Sequence, residues 1–354
     1  MQWTREARTA AAESEAHIAT AESEAGAETT KPYQVIREIP EPAGIERRNL
    51  LKLELINIRK SFSGKEILHG LNFHVTSGRA MGFLGRNGAG KSTTFRCLMQ
   101  VFHPDAGQFL LDGKPFDPKK HRIGYLPEER GMYPKITIRD QLVYFSELKG
   151  ASHQEALQDA DHWISYFGLT DRADKKLETL SKGNQQKIQI AQAFLHDPDI
   201  IILDEPFSGL DPVNARIFKQ AIREMVSRDK LVIFSSHQMS YVEEMCDDIT
   251  LIDLGNILLS GSLETIRTEK GAGRYFIEPV PEAAAQVRDV LRTAGIAFTE
   301  SGNRLITAQR EPGIRDVIWS CFPQILSCGF YRPSLQDIFI AEAGESANEE
   351  ATHA

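Results

Sequence analysis

Several features that mark large classes of protein are missing from this 354-residue chain. No apolar run approaches the roughly 18 residues that a bilayer-spanning helix needs, and the N-terminus lacks the apolar core of a secretory signal. Any work at a membrane would therefore need spanning helices from another chain. Cysteine is scarce. Cys97, Cys246, Cys321 and Cys328 are scattered and form no C-x-x-C pair, which argues against a disulfide framework or a zinc site and fits a reducing compartment. Cationic excess is also absent. With 41 basic against 49 acidic residues and a net charge of −8, nothing global favours nucleic acid, and no nucleic-acid partner is expected. There is no internal repeat. Length suffices for two or three domains with a buried core, and 41% hydrophobic and 25% charged residues are ordinary for a globular protein.

Residues 1–49 are rich in Ala, Glu, Ser and Thr and offer no apolar face to pack, so they read as a disordered acidic tail ending near Pro40 and Pro42. Residues 343–354 return to that composition and read the same way. Leu51, Leu53 and Leu55 alternate with polar residues, as do Leu71, Phe73 and Val75. Both stretches predict half-buried strands of an antiparallel layer. Residues 104–120 predict a hairpin turning at Asp112-Gly113. Residues 137–180 are helical by pattern, with breaks at Gly150 and Gly168. Two continuous apolar runs, at 200–203 and 231–234, read as strands buried on both faces of a parallel sheet. Asp211-Pro212 predicts a helix start, Asp at the N-cap and Pro at N1, with Val213, Ile217, Ala221 and Met225 on the inner face. From about residue 272 the pattern reads β-α-β-β-α-β, a small ferredoxin-like α+β domain over 272–342.

One stretch organises the rest. Gly85-Arg86-Asn87-Gly88-Ala89-Gly90-Lys91-Ser92 fits G-x-x-x-x-G-K-[ST], the phosphate-binding P-loop. A buried strand, 80–84, precedes it. Phe95, Leu98, Met99 and Phe102 then share one face of a helix that stops before Pro104. Glycines let backbone N–H groups turn toward a phosphate, and a helix start carries about half a positive charge. Lys91 is placed to reach the β- and γ-phosphates, and the Ser92 hydroxyl to ligate Mg²⁺, with Thr93 beside it. The bland reading, an accidental glycine-rich turn, is disfavoured by these flanks.

A P-loop alone does not choose among many NTPases. Leu180-Ser181-Lys182-Gly183-Asn184-Gln185-Gln186-Lys187 resembles the signature sequence of the ATP-binding-cassette family, usually written L-S-G-G-Q, and the resemblance runs from about Leu51 to Leu259. It implies an α/β P-loop NTPase cassette over 50–271: a RecA-like parallel core, an antiparallel β layer and a helical insert at about 137–180. It also implies residue roles. Residues 85–92 match Walker A, and residues 200–205 match Walker B, with Asp204 on the Mg²⁺ and Glu205 as general base. Asp211 falls in the D-loop, His237 at the switch histidine, Phe62 at the aromatic that stacks on adenine, and Glu128 at the Q-loop, beside nucleotide and Mg²⁺. Each role has a physical rationale. Two adjacent carboxylates at a strand end are costly without a cation, and a carboxylate one residue on can deprotonate an attacking water. A lone histidine is usually an ordinary surface group, and Phe62 could be a core ring. Their positions favour His237 on the γ-phosphate and Phe62 on adenine.

Ser181 and Gly183 begin a helix and so offer a second anion site. In the family this site closes over the P-loop of a partner. That implies a homodimer, or a dimer with another cassette, holding two MgATP, together with a separate transmembrane permease and a location on the cytoplasmic inner face of the membrane. Three residues depart from the family pattern: Lys182 for Gly, Asn184 for Gln and Glu128 for the Q-loop Gln. Residues 125–131 and 180–187 resemble bacterial exporter ATPases of the sodium-efflux and drug-resistance types, which carry a small C-terminal domain. The expected function is a transport-coupled ATPase. The alternatives are a non-transport cassette ATPase of the translation or DNA-repair type, and another P-loop enzyme such as a small-molecule kinase. The first usually has two cassettes, or a coiled coil or zinc cysteines, and the second lacks the signature stretch.

Overall fold

The computed structural model describes residues 50–129, 131–308 and 313–352, so the tail expected at 1–49 lies outside the described residues. In the first half, β1 (Lys52–Phe62) and β2 (Lys65–Thr76) form a long hairpin, followed by β3 (Ala80–Leu84), α1 (Lys91–Leu98), β4 (Ala106–Leu111), β5 (Lys114–Pro115) and β6 (Ile123–Leu126). Helices α2 (Ile138–Leu148), α3 (His153–Tyr166) and α4 (Lys182–Phe194) come next. The chain returns to the sheet through β7 (Ile200–Leu203), α5 (Pro212–Ser227), β8 (Leu231–Ser236), α6 (Met239–Met245), β9 (Asp248–Asp253), β10 (Asn256–Ser262) and α7 (Leu263–Gly271). A last region contains β11 (Tyr275–Pro279), α8 (Ala284–Thr293), β12 (Phe298–Ser301), β13 (Arg304–Thr307), α9 (Ile314–Ser320) and β14 (Ile325–Phe330), and the chain finishes in α10 (Leu335–Thr352).

Among the described residues the strands form three sheets. The central one has the order β10-β9-β3-β8-β7-β6 and is parallel except for β10, which returns from β9 as an antiparallel hairpin. Its apolar strands sort their side chains by the two-residue period of a strand. Ile200, Ile202, Leu231, Ile233, Met81 and Phe83 face the antiparallel sheet β2-β1-β4-β5, together with Phe95 and Leu98 of α1. Ile201, Leu203, Val232 and Phe234 face the helices of the other side. The insert packs on that side through Trp163, Phe167 and Phe194, with the Trp163 ring 6.0 Å and 5.0 Å from the other two. Gly150 and Gly168, at φ 102° and 68°, end its two helices. The third sheet, β12-β13-β11-β14, is wholly antiparallel and carries its own core of Ile277, Val287, Leu291, Leu305 and Ile318.

Three local expectations need correction. Helix α1 stops at Leu98, with Met99 as its C-cap, so Phe102 lies beyond it. On α5 the buried face is Ala215, Phe218, Ala221, Ile222 and Met225, whereas Val213 is 63% exposed. Val213 and Ile217 fit a 3.6-residue period with Ala221 and Met225, but the large buried ring at Phe218 rotates the stripe by one position. Finally, α10 runs to Thr352, past residue 343 where a tail was expected. The Ala and Glu content that suggested a tail also favours helix once Leu335, Ile338 and Phe339 anchor its first turns.

Candidate nucleotide site

Parallel strands send all their C-terminal ends to one edge, and that edge gathers the polar residues. The register sets Leu84 of β3 opposite Ser236 of β8, Phe234 of β8 opposite Leu203 of β7, and Leu203 opposite Leu126 of β6. The segments that leave these ends carry residues 85–92, residues 235–237, Asp204 with Glu205, and Glu128.

The loop after β3 folds around Lys91. Its side chain is 6% exposed, and the ammonium donates to the carbonyls of Gly85 at 2.8 Å and Arg86 at 3.1 Å. Two glycines have specific reasons. A Cβ on Gly85 would lie 2.3 Å from the Ile252 carbonyl oxygen. Gly90, the residue before α1, sits at φ 110°, and a Cβ there would lie 2.7 Å from Leu68 Cδ2. Helix α1 then begins with Lys91, Ser92 and Thr93, so the free N–H groups of its first turn face the loop.

The acidic pair is held from several sides. Ser235 Oγ donates to Asp204 Oδ1 at 2.6 Å and accepts from the Glu205 amide at 2.8 Å. Glu205 adopts the left-handed backbone region, φ 50°, an unusual conformation for a residue with a Cβ. Its carboxylate lies between two nitrogens, with Lys91 Nζ 3.3 Å from one oxygen and His237 Nδ1 2.9 Å from the other. Asp204 Oδ2 is buried with no hydrogen-bond partner among the described residues. Burial raises the Asp204 carboxyl above the ordinary carboxylate range. The nearby charges of Glu128 and Glu205 push the same way, while hydrogen bonds from Ser235 and Ser92 oppose it. Ser92 Oγ also reaches Glu128 Oε2 at 3.4 Å.

Lys91, Glu205 and His237 therefore meet directly, and Ser92, Asp204 and Glu128 form a second group beside them. The other expected residues lie apart. Phe62 is 42% exposed at the end of β1. Its ring sits edge-on to Phe102 at 5.1 Å, beyond the C-terminal end of α1. Ser181 caps α4 by accepting from the Asn184 amide at 3.4 Å. Gly183 packs against the start of α5, where a Cβ would lie 2.9 Å from Asn214 Nδ2. Asp211 caps α5 through the amides of Val213 and Asn214, and the Asn214 contacts are the main cause that lowers its pKa. Lys182 is exposed.

Two contributors escaped the sequence reading. Ser235 orients both members of the acidic pair, and the signal was a hydroxyl at the end of an otherwise apolar buried strand. Tyr125, whose phenol is pushed up to about 12 chiefly by burial, lies close enough to Asp204 to feel its charge. The arrangement can cradle an oligophosphate, hold a cation at an unsatisfied carboxylate oxygen, and present a second, oriented carboxylate to a water molecule.

Known proteins resemble this chain in both sequence and fold. Residues 68–208 match the family model described as ABC transporter. The chain is 38% identical over 302 residues to the uncharacterized ABC transporter ATP-binding protein YhaQ of Bacillus subtilis, covering 82% of this chain and 98% of that protein. It is 35% identical to the linearmycin resistance ATP-binding protein LnrL of the same organism, over 59% of this chain and 69% of that one. It is 31% identical to the Nod factor export ATP-binding protein I of Burkholderia lata, over 73% and 86%. A solved structure described as the ATP-binding subunit of an ABC transporter superposes with a TM-score of 0.58 at 28% identity, covering 62% of this chain and 93% of that one.

Proposed function

Because the chain belongs to the family of ABC transporter ATP-binding proteins, we propose that two copies of it close around two MgATP and that hydrolysis drives export through a separate membrane permease. ATP binding and ATPase activity come with the family. The observation that carries the finer reading is the Glu205 carboxylate, fixed between Lys91 and His237 beside an unsatisfied oxygen of Asp204. Residues 85–93 hold the phosphates, with Lys91 exchanging the carbonyls of Gly85 and Arg86 for phosphate oxygens. Ser92 and Asp204, with Glu128 nearby, fit Mg²⁺, which takes few protein ligands and completes its shell with phosphate and water. When bound, Mg²⁺ neutralises charge on the triphosphate. Glu205 accepts the proton of the attacking water, and His237 fixes its orientation and senses the γ-phosphate. Phe62 offers its exposed ring to adenine.

The start of α4, Ser181 and Gly183, together with Asp211, serves the site of the opposing subunit, a two-fold arrangement that is self-complementary. Exposed Tyr133, Ile136, Tyr144 and Leu148 on and before α2 give the insert an apolar surface for the permease, which holds the dimer at the inner face of the membrane. Among the described residues no helix is long and apolar enough to cross a bilayer. Outward transport is supported by the relatives named for Nod factor export and linearmycin resistance. The relatives named above are ABC transporter, resistance and export proteins rather than translation or repair factors, so the non-transport reading is not carried forward.

The test mixes Lys91→Ala chains with Ser181→Arg chains. Each homodimer is inactive, and the mixed dimer recovers about one working site of two, the sum expected for a two-fold interface. Verified mixed dimers with no activity would remove the shared-site arrangement.

A further inference from the structure

We propose that Phe339, on the C-terminal helix, is a positioning residue for the phosphate loop and acts by holding Arg86. The proposal rests on the reading of residues 85–92 as the ATP-binding loop and adds to it a contact from 253 residues further along the chain, Phe339 against Arg86.

Three observations lead there. The first is where α10 packs. Leu335, Ile338, Phe339 and Ala343 fall at i, i+3, i+4 and i+8 and are all buried. They belong to the core that includes Leu84, Val242, Met245 and Leu263, not to the separate core of the β11–β14 sheet. The helix follows that sheet in sequence but is part of the cassette in packing. The second is how firmly α10 is fastened. Glu243 on α6 accepts from the Leu335 amide and pairs with Arg267 at 2.7 Å. Lys270 pairs with Glu342, and Arg332 pairs with Glu264. Asp337 gathers Ser334 Oγ at 2.7 Å and the Tyr331 hydroxyl at 3.1 Å. The third is what the fixed helix presents. The Arg86 guanidinium carbon lies 5.1 Å from the centroid of the Phe339 ring, within the range of a cation–π contact. Phe339 is only 8% exposed, so its ring is not free to follow Arg86 elsewhere.

Arg86 is not a bystander in the loop. Its carbonyl accepts from Lys91 Nζ at 3.1 Å and from the Ala89 amide at 3.2 Å. Tethering the Arg86 side chain restrains the peptide on which Lys91 rests, and so sets part of the loop before nucleotide arrives. Because β14 leads directly into α10 through residues 331–334, a displacement of the C-terminal sheet is transmitted to the loop by the same contact.

The plain alternative is that Phe339 only fills space. Phe339→Leu separates the two, since it keeps apolar volume and removes the ring face. In the full-length protein, with a fluorescent ATP analogue and Mg²⁺ as probe, Phe339→Leu should weaken binding about threefold, the size of one cation–π contact made by an exposed guanidinium. The same loss should appear in KM for ATP, with kcat within about twofold, because the contact orients the loop before chemistry. Phe339→Tyr, which keeps the ring face, should bind within about twofold of the parent. Arg86→Ala should lose as much as Phe339→Leu, and the double variant should lose no more than either alone. A second readout covers any failure of Phe339→Leu to fold. Amide exchange in residues 338–343 should slow on MgATP binding in the parent and not in Arg86→Ala. Wild-type affinity in Phe339→Leu, additive losses in the double variant, or equal slowing of exchange in Arg86→Ala would each overturn the proposal. A parent protein that bound no MgATP would instead overturn the nucleotide reading on which it stands.

Discussion

The central sheet and the β11–β14 sheet are built from similar strands yet have opposite surfaces. In the central sheet the parallel strands β9, β3, β8, β7 and β6 all end on one edge, so their loops converge. That edge holds a 6% exposed lysine paired with an 8% exposed glutamate, and a buried Asp204 oxygen with no hydrogen-bond partner among the described residues. In the antiparallel sheet successive strands end on opposite edges, so no set of loops converges. Its ionic groups pair outside, Arg288 with Glu300 and Arg304 with Glu278. Its surface keeps Trp319, Phe322, Leu326 and Phe330 exposed instead. The contrast separates a region that concentrates unsatisfied polar groups, and hence chemistry, from one suited to contact.

The largest effect should come from Glu205→Gln. The amide keeps the shape and loses the proton acceptor, so phosphate release should fall by about 10²–10⁴-fold while MgATP binding persists. The matched change in the other sheet, Glu278→Gln, should leave turnover unaltered. If Glu205→Gln hydrolysed ATP at the parent rate, the convergent edge would not be where the chemistry occurs.

Asp204→Asn tests the unsatisfied oxygen without substrate. The folded-state pKa of Asp204 is raised, chiefly by burial. The folded protein therefore holds this proton more tightly than the unfolded chain. Its stabilising effect is complete below the unfolded value of about 3.9 and is lost as pH rises through the raised folded value. Above that folded value, with chelator and no nucleotide, the parent carries a buried charge that the amide lacks. Asp204→Asn should then be more stable by about 1 kcal/mol in urea unfolding, with a flatter dependence on pH. MgATP should stabilise the parent more than the variant.

Much of this was legible in the sequence because it is local. Glycine spacing fixed the loop, the runs at 200–203 and 231–234 announced strands buried on both faces, and Asp211-Pro212 announced a helix start. What stayed hidden depends on distant partners. The rotation of α5 that exposes Val213 follows from what Phe218 meets, including the Phe207 ring 5.2 Å away. Ser235 gains its role only when β8 lies beside β7. The contact between Phe339 and Arg86 spans most of the chain and has no periodic signature.

The smallest expected effect sharpens the contrast most. Arg304 and Glu278 form a 3.3 Å pair at 56% and 23% side-chain exposure, whereas Lys91 and Glu205 are also 3.3 Å apart at 6% and 8%. Distance is therefore matched and burial is not. Water and salt screen the outer pair, and side-chain ordering offsets much of its attraction, so Arg304→Ala should lower stability by no more than about 0.5 kcal/mol and less still at high salt. ATPase activity should not change, since the coupling proposed through α10 uses Phe339 and no ion pair of this sheet. Urea unfolding at two salt concentrations, alongside steady-state hydrolysis, measures both. A change in turnover from Arg304→Ala would mean that the antiparallel sheet shares in the chemistry after all, and that converging strand ends do not by themselves mark the working edge of this protein.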